Sequence, residues 1–134
     1  MTMTKIVRIT QHTATEEQRH ALAGIWPGAT IEEKPISLPN GPREAVAAFD
    51  EAVGDADVAE VVLPMQLINP IRKFSKFCER GGTLIRAHMS VHETLEGTRQ
   101  YSFENYEELL EVTIKTRALF PLSYNEDSMS DSSV

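Results

Sequence analysis

The sequence predicts a doubly wound α/β domain built on a mostly parallel sheet, with an antiparallel hairpin and a helix at its carboxyl end. Three observations lead there. Short β-branched runs alternate with amphipathic helical runs over residues 5–89, the order that places helices on both faces of a parallel sheet. Capping and helix-breaking residues stand at the junctions. The length of 134 residues, 41% hydrophobic and 25% charged, suits one core and leaves no room for a second.

Lys5-Ile-Val-Arg-Ile-Thr10 reads as a buried first strand, short and β-branched. A loop over Gln11–Ala14 leads to Thr15-Glu-Glu-Gln18, a capping box in which the Thr15 hydroxyl accepts from the Gln18 amide and the Gln18 side chain reaches back. Ala21, Leu22, Ile25 and Trp26 give this helix its apolar face, and Pro27-Gly28 ends it. The second strand spans Thr30–Ser37, with Pro35 arguing for a sheet edge. Pro39-Asn-Gly41 is a turn, and Pro42 suits the first turn of a helix whose Ala45, Val46, Phe49 and Val53 repeat at helical spacing up to Gly54. Val58–Leu63 is an apolar third strand, central in the sheet and stopped by Pro64.

Asn69-Pro70 reads as a cap and first-turn proline, opening a helix with a buried stripe of Ile71, Phe74, Phe77 and Cys78. Gly81-Gly82 closes it, and Thr83–Met89 is the fourth strand. Strand one is expected in the sheet interior beside strand three. Ser90–Leu95 and Thr98–Phe103 flank Glu96-Gly97 as an antiparallel hairpin. Asn105 with Glu108 resembles another capping pattern, before a final helix carrying Tyr106, Leu109, Leu110, Thr113, Ile114 and Ala118. Residues 1–122 are thus expected to form one small Rossmann-like domain. Residues 123–134 form an acidic, serine-rich tail of disordered composition.

Composition excludes several classes. The net charge of −7, part of it from Glu126, Asp127 and Asp131, argues against duplex nucleic acid, which needs a broad basic field. No run has the length of a membrane span, and Met1–Lys5 leads straight into a strand, unlike a signal peptide. The single cysteine, Cys78, points to a reducing, cytoplasmic setting. No Gly-x-Gly-x-x-Gly turn, Walker-type loop or nucleophile elbow is present, so no cofactor is expected. No metal is expected either: His88 and His92 share a strand face but stand about 13 Å apart.

In open parallel sheets, ligands bind beyond the carboxyl ends of the strands, where strand order reverses. Three segments reach that end: Thr10-Gln11-His12-Thr13, Pro64-Met65-Gln66 with Asn69, and Arg86 with His88. His12, Gln66 and Arg86 are expected to line one pocket, with His12 and Arg86 as its catalytic candidates. Helix amino termini at Thr15 and Asn69 add backbone donors for an anion. Blander readings stand beside these. Capping alone explains Thr15 and Gln18. Arg72, Lys73, Lys76 and Arg80 fit the solvated side of their helix, and Tyr101, Phe103 and Tyr106 fit a core.

The segment Gln11–Gln18 resembles the Ser-His-x-Leu-Thr-x-Glu-Gln pattern of small CRISPR-associated Rossmann-fold proteins, the CARF-like ring nucleases among them. His12, Thr15, Glu17 and Gln18 match; Gln11 replaces serine and Ala14 replaces leucine. The resemblance covers residues 5–89 in layout. It implies binding of a cyclic oligoadenylate, or another small nucleotide, and metal-independent cleavage in which a ribose 2′-hydroxyl attacks the adjacent phosphate. His12 would then assist proton transfer and Arg86 would stabilise charge on the phosphate. The serine replacement bears on turnover more than on binding. A nucleotide sensor or sponge without turnover would look the same in sequence, and a Rossmann-like protein-interaction module is a third reading. Val91, Leu95, Tyr101 and Phe103 exceed what a four-stranded core needs, and a homodimer is expected.

Overall fold

The computed structural model describes residues 3–113 and 115–121. Its elements are β1 (Lys5–Ile9), α1 (Glu16–Ile25), β2 (Thr30–Lys34), α2 (Pro42–Val53), β3 (Val58–Val61), α3 (Met65–Phe74), α4 (Lys76–Glu79), β4 (Thr83–Glu93) and β5 (Arg99–Glu108). The described strands make one five-stranded sheet in the order β2-β1-β3-β4-β5. β1 pairs in parallel with β2 and β3, and β3 with β4; β5 returns antiparallel to β4. This is a small Rossmann-like α/β fold, with β1 inside the sheet beside β3 and β2 at the edge that Pro35 indicated.

Alternation along the strands separates two apolar layers. Val7, Ile9, Ala59, Val61 and Leu84 pack with Ala45, Phe49 and Val53 of α2, Leu67 and Ile71 of α3, and Phe77 of α4. Ile6, Val58 and Ile85 face the other way, toward Leu22 of α1 with Trp26 and Tyr106 at the margin. Sheet burial on both sides is why these strands read as continuous apolar runs. No helix among the described residues is long and apolar enough to cross a membrane.

Several sequence expectations need correction. The third helix begins at Met65, not at Asn69, and Pro70 lies inside it. Pro64 is held in an extended conformation and acts as its N-cap. Proline inside a helix forfeits one backbone bond; here the buried face of Leu67, Ile68 and Ile71 outweighs that loss. The helix then breaks at Ser75, whose hydroxyl accepts from the Cys78 amide while Asp50 accepts from the Lys76 amide. The break removes Phe74 from the expected stripe and leaves it exposed, with Cys78 half-buried. On α1, Gln18 and Leu22 are buried but Ile25 is exposed. β2 ends at Lys34, short of Ser37.

The hairpin is present, but its first strand is the continuation of β4 through Glu93. The expected final helix is not formed among the described residues. Asn105–Glu108 belong to β5, and Asn105 donates to the Tyr106 carbonyl instead of capping a helix. Beyond β5, the Leu109 amide donates to the Leu84 carbonyl at 2.7 Å and its side chain enters the core. Asn69 then clamps Val112, donating to its carbonyl at 2.7 Å and accepting from its amide at 2.9 Å. These partners hold Leu109 and Val112 on a path that is not helical. Ile114 and the 123–134 tail lie outside the described residues.

Candidate functional site

The strand order reverses between β1 and β3: β2 lies on one side of β1 and β3 and β4 on the other. Beyond that point the carboxyl ends diverge and leave a crevice. Two cavities open there. The smaller, about 210 Å³, is lined by Thr10, Gln11 and His12 after β1, by Ser37 and Leu38, and by Leu63 and Pro64. The larger, about 620 Å³, lies on the α1 side and takes in Thr10, His12, Thr13, Gln18, Arg86 and Met89. Thr10, His12, Val62 and Leu63 border both, so the His12 loop forms the ridge between them.

The floor of the larger cavity is an ion-pair network that the sequence reading missed. Arg8 and Glu60 are each only 2% exposed. Arg8 Nε and Nη2 donate to the two Glu60 carboxylate oxygens at 2.7 and 3.1 Å. Arg8 Nη1 donates to Glu33 at 2.5 Å and to the His12 carbonyl at 3.1 Å, and Nη2 also donates to Gln18 Oε1 at 3.4 Å. These five bonds engage the five N–H groups of a guanidinium. Arg8 therefore has no donor left for a ligand. It ties together β1, β2, β3, α1 and the loop over residues 11–14. Burial alone would push its pKa down, but the bond to Glu60 overrides that and holds it above the ordinary arginine value. Tyr106 Oη donates to Glu60 at 2.8 Å. Burial first, and then the Glu60 charge, hold its phenol well above the usual range. The available signal was one charged residue in the middle of each of two apolar strand runs, Arg8 and Glu60.

The expected site residues divide as follows. Thr10 is buried, and its hydroxyl accepts from the His12 amide at 3.3 Å. Gln11 donates to the Ser37 hydroxyl at 2.9 Å. The His12 side chain is exposed and its imidazole has no hydrogen-bond partner among the described residues. Thr13 is exposed on the wall of the larger cavity. His12 and Arg86 do border one cavity, whereas Gln66 and Asn69 lie outside both. Asn69 is committed to Val112, and Met65 faces a separate groove with Glu107 and Val112.

Arg86 also lines that groove. Two residues from buried Leu84, its side chain falls on the α3 face, where Nε donates to Glu107 at 2.7 Å. That bond holds the Glu107 carboxyl below the usual range. His88 sits on the same face between Glu104 at 3.6 Å and Glu107 at 3.8 Å, away from both cavities.

The two helix amino termini near the crevice differ. On α1 the capping box occupies the Thr15 and Gln18 amides, and Glu16 and Glu17 in the first turn oppose an anion. On α3 the cap is Pro64, with no side-chain bond and no acidic residue in the first turn. The terminus suited to an anion is therefore at Met65, not at Thr15 or Asn69. No group of three or more His, Cys, Asp or Glu side chains among the described residues could hold a metal ion. No protein-family model matches the chain, and no curated protein or solved structure does.

Proposed function

We propose that the chain is a binding module for a small nucleotide, seated in the β1/β3 crevice and held without turnover. The carrying observation is that a cavity of about 620 Å³, bordered by the His12 loop, opens at the reversal of strand order. That volume lies within the ~300–1,000 Å³ typical of small-molecule sites. The α3 terminus follows Pro64, on the rim of the adjoining cavity, and offers the backbone amides of Met65 and Gln66 as donors. The resemblance of Gln11–Gln18 to the CRISPR-associated pattern makes cyclic oligoadenylate the ligand of first choice.

Binding without cleavage is favoured over a ring nuclease because the charged groups are already engaged. Arg8 is saturated, Arg86 is paired with Glu107, and Glu33 is shared by Arg8 and Arg19. His12 would then orient a base or ribose instead of moving a proton.

The test is calorimetric titration of the purified chain with cyclic oligoadenylates of several ring sizes, with chromatography of the nucleotide afterwards. We expect saturable binding that weakens with salt, an intact ring, and weaker binding by His12→Ala at unchanged melting temperature. Linear products that form in EDTA would reinstate the ring nuclease. No binding of any ring would remove the nucleotide reading.

A further inference from the structure

β3 pairs with β4 only from Val58↔Thr83 to Glu60↔Ile85, whereas β4 and β5 pair on to Glu93↔Arg99. The outer part of this hairpin therefore projects past the sheet. Its two faces differ. One carries Ser90, His92 and Ser102, which bond to one another: the two hydroxyls are 2.9 Å apart, and His92 Nε2 is 3.1 and 3.2 Å from them. The other sets Met89 opposite Phe103 and Val91 opposite Tyr101. Met89, Val91 and Tyr101 are 39%, 53% and 62% exposed, a continuous stripe that the described residues leave largely open. Met89 also lines the larger cavity, so the stripe continues into the wall of the candidate site.

We infer that this apolar stripe is the contact between two copies of the chain. Lateral pairing through the free edge of β5 is opposed by the register shift that leaves Glu104 unpaired and by Glu107 and Glu108 along the same strand. Bulges and charges of this kind blunt sheet edges. The face, in contrast, complements itself. At its outer end Glu93 lies opposite Arg99, and neither joins an ion pair among the described residues.

A two-fold axis parallel to the strands lays β4 of one copy over β5 of the other. It sets Val91 over Tyr101, Met89 over Phe103 and Glu93 over Arg99, apolar on apolar and acid on base, twice. The two larger cavities then open toward a common groove. The inference stands on the hairpin alone and does not depend on the ligand.

Sedimentation equilibrium of the full chain at micromolar concentration tests it. We expect a dimer, and a dissociation constant raised at least ~30-fold, as for loss of a central contact residue, in Val91→Glu or Tyr101→Glu. Gln100→Glu, on the polar face, should leave the dimer intact. Glu93→Arg should weaken it, and adding Arg99→Glu should restore it. The charge swap keeps the test decisive should Val91→Glu fail to fold. A monomeric wild type overturns the inference, whether residues 122–134 or a different protein cover the stripe. So does a dimer that Val91→Glu and Glu93→Arg leave unchanged.

Discussion

Removing Glu60 should be among the most costly single changes in this fold. Glu60→Leu deletes two bonds to Arg8 and the bond from Tyr106, at 2.7, 3.1 and 2.8 Å, from a site 2% exposed. Arg8 would keep Glu33 as its carboxylate, on a side chain 29% exposed. Leaving one member of a buried pair uncompensated costs about 3–5 kcal/mol. Whole domains are stable by only about 5–15 kcal/mol. At roughly 4 °C per kcal/mol for a domain of this size, the melting temperature should drop by about 12–20 °C. Arg8→Met should cost a similar amount, because it strands Glu60.

The double variant should be less damaged than either single one. Apolar groups in place of both charges of a buried pair are often neutral or better. Urea unfolding followed by circular dichroism and by Trp26, the one tryptophan, measures all three. A double variant whose loss equals the sum of the singles would refute coupling between Arg8 and Glu60. So would a Glu60→Leu loss below ~1 kcal/mol, the range of an exposed pair.

Three further outcomes are expected. The raised Tyr106 pKa stabilises the fold below the unfolded value near 10, and this contribution is lost as pH climbs through the folded value. Tyr106→Phe should therefore be less stable at pH 7, by about 1.5–3 kcal/mol for a bond to a charged partner; urea titrations should show the gap to wild type narrowing above pH ~10, and a constant gap would count against the shift. Asn69→Ala removes both bonds to Val112 and should cost ~1–2 kcal/mol while speeding hydrogen exchange at the Val112 amide; unchanged exchange would contradict the clamp. Gly82→Ala would place a methyl 2.5 Å from the buried Phe77 ring, which packs edge-on against Phe49, and thermal unfolding should register a loss of ~1–3 kcal/mol from overpacking.

The parallel β-α-β order is legible along the chain, because apolar strands, the Thr15–Gln18 capping box and the Pro42 helix start are read within a few residues. The interior place of β1, the edge place of β2 and the turn at Glu96-Gly97 were legible for the same local reason. Other features depend on contacts between distant segments. Arg8 and Glu60 are 52 positions apart and become partners only when β1 and β3 align, which turns two isolated charges into the floor of a cavity. Arg86 suits a phosphate or an acidic neighbour equally well in the sequence, and the antiparallel register brings Glu107 beside it. The final helix had a plausible cap and apolar spacing, yet residues 105–108 join β5 and 109–113 form no helix, because Leu84, Glu60 and Asn69 hold Leu109, Tyr106 and Val112. Capping and periodicity act over one or two turns. The partners of a strand residue are set across the sheet, where burial makes each unpaired charge or amide too costly to leave alone.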